Sequence, residues 1–109
     1  METIYNKLVR DNIPNIIKNN GETPIYHELN DSDYWKYLLE KDKEELKEVE
    51  TADSILERKK ELSDKLELIR AMAEFNGFTL EDIVKEADKK KEKNGGFQKR
   101  YFLEKVITE

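Results

Sequence analysis

Two pairs of acidic residues, each with its members three positions apart, are the part of the sequence best suited to chemistry. Glu45 and Glu48 form the first pair, and Glu61 and Asp64 form the second. Residues three apart on a helix lie on the same side, so each pair can direct both carboxylates towards one point. Four carboxylates on two facing helices would form the oxygen-rich ligand set that Mg²⁺ or Mn²⁺ prefers.

Residues 34–75 predict the two long helices that would position these acids. The first spans about residues 32–51, after a cluster of capping residues at 30–32, and the second begins at about residue 55. Ser54 followed by Glu57 is a capping-box pattern at the start of the second helix. On the first helix, Tyr34 and Leu38 share the side of Glu45.

Both acidic pairs adjoin apolar residues on their helices. Glu61 and Asp64 head a row that continues along the same side of the second helix through Leu68, Met72 and Phe75. A neighbouring row is more apolar still and consists of Leu62, Leu66, Ile69 and Ala73. Half-buried carboxylates either pair with a cation or lose their charge. A cation between the helices and a solvated acidic face both remain open on this pattern.

Composition narrows the class of protein. The 109 residues fit a single domain (1–109), of which 41% are charged and 37% hydrophobic, so the core is modest and association would help to cover apolar faces. A net charge of −5 argues against binding nucleic acid through a basic surface. The absence of cysteine and the single histidine, His27, exclude thiolate catalysis and multi-histidine metal sites within one chain. With no apolar run of membrane-spanning length and no signal peptide, we expect a cytoplasmic protein that does not contact a membrane.

The flanking segments predict shorter elements. Asp11 or Asn12 can cap a short helix with Pro14 in its first turn, and Gly21 stops it. A short strand is expected at residues 23–29, which include His27, and residues 97–106 could form a second one that pairs with it as a small two-stranded hairpin. A further helix is expected after the two long ones, from about residue 80 to 93. It follows the capping pattern of residues 79–82 and ends before a glycine pair.

Three motifs in order give the sequence a family resemblance. Residues 44–48 (EELKE), twelve intervening residues and residues 61–64 (ELSD) match the EExxE…ExxD signature of MazG-type all-α nucleoside triphosphate pyrophosphohydrolases. Residues 5–14 (YNKLVRDNIP) and 95–100 (GGFQKR) resemble the opening and closing motifs of one subgroup. That subgroup consists of small house-cleaning proteins similar to phosphoribosyl-ATP pyrophosphohydrolase. The resemblance covers nearly the whole chain.

The resemblance implies an all-α bundle and a set of roles for individual residues. Glu45, Glu48, Glu61 and Asp64 fall where the family's Mg²⁺ ligands fall, and Mn²⁺ can substitute. Glu44 is the remaining acid of the motif, a group that could orient water or support a ligand. The family's phosphate or nucleotide contacts would correspond to Lys7, Arg10, Lys93, Lys99 and Arg100. For these cations a solvated surface role is the alternative.

The implied reaction is hydrolysis of a nucleoside triphosphate to the monophosphate and pyrophosphate, with helices from two or more identical chains around the site. Three positions depart from the family pattern: Asn12 replaces a more frequent lysine, Asp42 a leucine, and Lys65 an apolar residue. These departures leave every ligand position acidic. They do leave open a nucleotide-binding regulatory module without efficient turnover, and a structural helical oligomerisation domain is a further alternative.

Overall fold

The computed structural model describes residues 1–108 and is all-α, which confirms the predicted fold class. Along the chain, a short helix precedes the two long helices and a helix of intermediate length follows them. Their bounds are α1, Ile13–Asn19; α2, Asp31–Thr51; α3, Ile55–Phe75; and α4, Leu80–Asn94. Each long helix has 21 residues, and none of these helices combines the length and apolarity that a membrane crossing requires.

Side-chain caps fix where three of the helices begin. The Asn30 side chain accepts a hydrogen bond from the backbone N–H of Asp33, and Ser54 accepts one from Glu57. Thr79 and Asp82 form a complete capping box before α4. The cap predicted for α1 is absent, because Asn12 already has helical backbone angles and its side chain makes no capping hydrogen bond. Such caps typically stabilise a helix by about 1 kcal/mol.

The two long helices pack antiparallel as a hairpin joined by residues 52–54. At its open end, Phe75 of α3 stacks on Trp35 at 5.6 Å between ring centroids and meets Tyr34 edge-on at 5.5 Å. One turn further in, Leu38 is 1% exposed and Ala73 is 5% exposed. These contacts are the apolar core of the single chain.

A tight turn after α3 directs α4 back against it. The N–H of Gly77 donates to the carbonyl of Glu74 at 3.1 Å, and the N–H of Phe78 donates to that of Ala73 at 2.9 Å. This pattern requires a left-handed residue, and Gly77 has φ +84°. α4 contacts α3 and is exposed along nearly all of its length.

The two predicted strands do not form. Residues 23–29 and 97–106 are irregular, and residues 1–108 contain no strand. An isolated two-stranded hairpin is marginally stable in water, and Pro24 cannot donate to a ladder. His27 is an exposed residue of this irregular segment.

The single chain leaves most of its most apolar helical row uncovered, because Ala73 is the one member of that row that is buried. α2 packs against the row of α3 that begins with Glu61 and Asp64, so Leu62, Leu66 and Ile69 remain 52%, 44% and 39% exposed. The radius of gyration is 18.8 Å, against about 13 Å expected for a compact domain of this length. The accessible surface is 10456 Å², where a compact monomer of this mass would expose about 6,300 Å².

Leu38→Ala tests whether the aromatic end is the stabilising core. We expect the free energy of unfolding to fall by about 2–5 kcal/mol, because a fully buried leucine is lost. Leu56→Ala is the matched control, since Leu56 is 74% exposed and should lose less than about 1 kcal/mol. Denaturant unfolding followed by circular dichroism measures both, and equal losses would contradict this assignment of the core.

Candidate metal centre

Three of the four predicted ligands come together between α2 and α3. One carboxylate oxygen from each of Glu45, Glu61 and Asp64 lies within 4.8 Å of the others. We call these residues the acidic trio. α2 contributes the first, and one turn of α3 contributes the other two, which are three residues apart as the sequence predicted. The trio lies two helical turns, about 10 Å, from Leu38 towards the hairpin connection.

Glu45 is the most unusual member because it is buried. Its residue is 8% exposed, and its Oε2 atom has no hydrogen-bond partner within the described chain. Leaving a carboxylate oxygen dehydrated and unpaired is costly unless a cation or a proton compensates. The trio offers oxygen ligands alone, the donor set of hard divalent cations such as Mg²⁺ and Mn²⁺. The residues therefore fit such an ion.

The electrostatics of the trio point to the same need for compensation. Burial, followed by the negative charges of Asp64 and Glu48, raises the pKa of Glu45. Burial also raises the pKa of Glu61 to about 7, with contributions from the charges of Glu48, Glu45 and Asp64 and from a hydrogen bond to Glu45. Three carboxylates this close cannot all stay ionised at low cost, so one proton or one cation is held among them.

Glu48, the fourth predicted ligand, lies outside the trio. It is one turn from Glu45 on α2, nearer the hairpin connection, and is exposed. Its charge nevertheless contributes to raising the pKa of both glutamates of the trio. Glu48 therefore lies at the rim of the cluster, and the structure does not bring its carboxylate to the point where the other three meet.

Glu44, the remaining acid of the motif, lies among cations and outside the trio. Its carboxylate is 3.3 Å from Lys7 Nζ and 3.5 Å from Lys41 Nζ. Partial burial acts to raise the pKa of Glu44, but the charges and hydrogen bonds of these two lysines outweigh it and lower the pKa. Glu44 is thus a fixed negative charge that positions the N-terminal segment.

The predicted cation Arg10 contacts the trio directly. Its guanidinium donates a hydrogen bond to Asp64 Oδ1 at 2.8 Å. Together with the Lys7–Glu44 pair, this contact fastens the N-terminal segment across both long helices. The segment turns at Asn6, which has φ +46°, a conformation that asparagine tolerates better than most residues.

A groove of about 550 Å³ opens beside Glu44, between the N-terminal segment and α2. The residues that line it include five lysines, two tyrosines and two glutamates, and the glutamates, Glu40 and Glu44, pair with three of the lysines. We call it the basic groove; its lysines are Lys7, Lys36, Lys41, Lys43 and Lys47. Its volume and charge suit a small anion.

The predicted C-terminal cations lie apart from the acids. Lys93 is exposed in the last turn of α4, and Lys99 and Arg100 lie in the irregular segment after it. Over the described residues these three cations form no ion pair with α2 or α3. Arg100 has φ +58° and lines a shallow pocket made entirely by its own segment.

Sequence reasoning overlooked one ion pair at the level of the trio. Lys65 Nζ lies 2.8 Å from Asp42 Oδ1, across the two long helices. Both positions stood out as departures from the family pattern, but not as partners. Their positions along the helices could have indicated the pairing. Asp42 lies one turn before Glu45 on α2, and Lys65 directly follows Asp64 on α3. Because the helices are antiparallel and Glu45 meets Asp64, Asp42 and Lys65 are also brought together.

Comparisons with known proteins give little further information. No protein-family model matches the chain, and no solved structure matches it. The chain is 44% identical over 48 residues to an uncharacterized protein of Mycolicibacterium smegmatis. That match covers 44% of this chain and 49% of the relative, so it spans about half the length of each.

The raised pKa of Glu61 makes the stability of the protein depend on pH. Because the folded-state pKa of about 7 exceeds the ordinary 4.5, the folded chain holds the proton more tightly than the unfolded chain. This contribution to stability is complete below about pH 4.5 and is lost as the pH rises through about 7. The glutamine of Glu61→Gln cannot ionise. In buffer free of divalent cations, we therefore expect the melting temperature of this variant to fall less than that of the wild type over this pH range.

Glu50→Gln is the matched control, because Glu50 is an exposed acid of α2 outside the trio. It should follow the wild type. Thermal melts by circular dichroism at half-unit pH steps give the comparison. Parallel curves for the wild type and Glu61→Gln would show that Glu61 does not hold a proton near neutral pH.

Proposed function

We propose that the chain is a MazG-type, Mg²⁺-dependent nucleoside triphosphate pyrophosphohydrolase acting on canonical or modified nucleotides. The observation that supports this most is Glu45: a buried carboxylate with an unpartnered oxygen, facing Glu61 and Asp64 within 4.8 Å. A solvated acidic face would not bury one of its acids between two helices. The family resemblance supplies the reaction, and the house-cleaning role is part of the same proposal.

The chain's residues would divide the work of binding. Glu45, Glu61 and Asp64 would hold the cation, with Glu48 able to add an oxygen from the rim. Mg²⁺ keeps several waters and is usually bound by few carboxylates together with substrate phosphates, so an open carboxylate set is suitable.

A divalent cation held by the trio would neutralise phosphate oxygens and lower the pKa of an attacking water. The chain itself needs no nucleophile for this reaction, which agrees with the absence of cysteine. One carboxylate at the rim, Glu48 being exposed there, could accept the proton of that water. Arg10 and Lys7 would stabilise the charge that develops on the phosphates.

The basic groove would give the phosphates or the nucleoside a place beside Glu44, the residue that precedes Glu45. Lys7 lies at the boundary, because it pairs with Glu44 and also lines the groove. Tyr5 and Tyr37 in the groove could contact a base, and the lysines could contact phosphates. The C-terminal cations Lys99 and Arg100 would reach the substrate only after a movement of their segment.

Pyrophosphate release from nucleoside triphosphates tests the proposal. With Mg²⁺ or Mn²⁺, we expect turnover of at least one member of a panel of canonical, deoxy and modified nucleotides. Glu61→Gln should lower kcat at least about a hundredfold, because several kcal/mol of charge stabilisation depend on the bound cation. Glu50→Gln, which removes an acid outside the trio, should retain activity.

The two alternatives predict different results in the same assay. Nucleotide binding by calorimetry without any metal-dependent release would indicate a regulatory module. No release, and no thermal stabilisation by Mg²⁺ with nucleotide at saturating excess, would indicate a structural domain, because a bound ligand should add a few kcal/mol. Either result would overturn the proposed activity.

We also propose that the working form is a homodimer or higher homo-oligomer. The accessible surface exceeds that of a compact monomer by about 4,000 Å², and Leu62, Leu66 and Ile69 form an exposed row along α3. A second copy of α3 or α4 could cover this row. Glu61 and Asp64 of the trio head the neighbouring row of α3, so a partner that covers the Leu66 row would bring further side chains near the site.

Leu66→Asp tests this association, because a charge in the middle of the row would be buried without a partner. We expect the wild type to sediment as a dimer or larger species and Leu66→Asp as a monomer. Leu56→Asp places the same charge in the first turn of the helix and should leave the assembly intact. A wild type that is monomeric at all concentrations in sedimentation equilibrium would contradict the proposal.

A further inference from the structure

The Asp42–Lys65 ion pair joins α2 directly to α3 by a contact between opposite charges. The separation of Nζ from Oδ1 is 2.8 Å, and the side chains of Lys65 and Asp42 are 24% and 39% exposed. Among the described residues, no other ion pair joins these two helices, and the other polar contact across them is the hydrogen bond between Glu45 and Glu61 inside the trio. The other ion pairs lie within a helix or tie the N-terminal segment to one helix.

The Asp42–Lys65 pair lies close to the part of the hairpin where repulsion between carboxylates acts to separate α2 from α3. Apolar contacts join them at the open end, where Leu38 and Ala73 are buried, and Val49 is half-buried nearer the connection. Between these levels the carboxylates of the trio face one another and repel, and Leu68 of the same row of α3 is half-buried. One turn from Glu45, a lysine of one helix meets an aspartate of the other, and their attraction opposes that repulsion.

We propose that Asp42 and Lys65 are positioning residues that hold α2 and α3 at the separation and register in which the acidic trio binds a divalent cation. The pair touches neither substrate nor cation and acts through the helices. This inference rests on the proposed function for its link to the cation. Its geometric part stands without it, because the ion pair spans the helices whether or not a cation binds.

The direction in which Lys65→Gln changes the affinity for the cation distinguishes a positioning role from a purely electrostatic effect of the lysine charge. Removing a positive charge near a cation site strengthens cation binding by electrostatics alone. If Lys65 positions the trio, Lys65→Gln instead weakens binding, because the carboxylates lose their spacing. Asp42→Asn weakens binding on either account. The exchanged variant Asp42→Lys with Lys65→Asp keeps the net charge and the pair, so it should restore the site.

Mn²⁺ titration followed by electron paramagnetic resonance measures the effect in the 109-residue chain. We expect Lys65→Gln and Asp42→Asn to bind Mn²⁺ about three- to tenfold more weakly than the wild type. This loss lies between the small effect of breaking a surface ion pair and the larger effect of removing a residue that orients a metal ligand. The exchanged variant should lie within about twofold of the wild type. Arg70→Gln is the matched control, since Arg70 pairs with Glu67 inside one helix, and it should not weaken binding.

A distance measurement tests the geometry independently of any metal. The chain contains no cysteine, so spin labels can be placed cleanly at Lys47→Cys and Lys60→Cys, both exposed and on facing turns of α2 and α3. Labelled chains diluted into unlabelled ones report distances within one chain. We expect a narrow distribution in the parent and the exchanged variant, and a broader or longer one in Lys65→Gln and Asp42→Asn.

The two measurements distinguish failure of this inference from failure of the proposed function. A parent chain that binds no Mn²⁺ but shows the expected broadening would retain the positioning role and overturn the metal site. A Lys65→Gln chain that binds Mn²⁺ as tightly as the wild type or more tightly, with an unchanged distance distribution, would overturn the positioning role. Circular dichroism at the working temperature verifies that each variant is folded.

Discussion

Mutual repulsion among three carboxylates is the constraint on which the rest of this structure depends. Glu45, Glu61 and Asp64 are held close by helices whose apolar contacts lie at other levels of the hairpin. Each source of compensation nearby is a cation or a proton: Arg10 on Asp64, Lys65 across the helices, and the raised pKa of Glu61. A structure that did not need these acids together would gain stability by replacing Glu45 with an apolar residue.

Local sequence patterns predicted the helices well because capping and periodicity are local properties. The side chains of Ser54 and Thr79 cap the helices they precede, and α2 and α3 begin and end within one residue of the expected positions. The three-residue spacing of Glu61 and Asp64 predicted that both lie on one side of α3, and the structure places that side against α2, but the spacing alone left a solvated acidic face open. The strands at residues 23–29 and 97–106 failed for the complementary reason, since a strand needs a partner that the local pattern does not supply.

Local sequence patterns did not predict which faces of the helices contact one another. Two apolar rows of α3 compete for α2, and the row containing Leu66 is the more apolar, yet the row headed by Glu61 faces the partner helix. The preference is reasonable if a second chain covers the Leu66 row. The surroundings of Glu44 were not predictable from local patterns either, because its partner Lys7 is brought to it by the N-terminal segment.

Anomalous diffraction from crystals grown with Mn²⁺ tests the central claim, that the acidic trio is a divalent-cation site, most directly. The account predicts an anomalous peak about 2.0–2.6 Å from a carboxylate oxygen of each of Glu45, Glu61 and Asp64, in the range of carboxylate ligands to hard cations. It also predicts that the peak disappears in Glu61→Gln crystals grown in the same way. A map at saturating Mn²⁺ without a peak between α2 and α3 would contradict it.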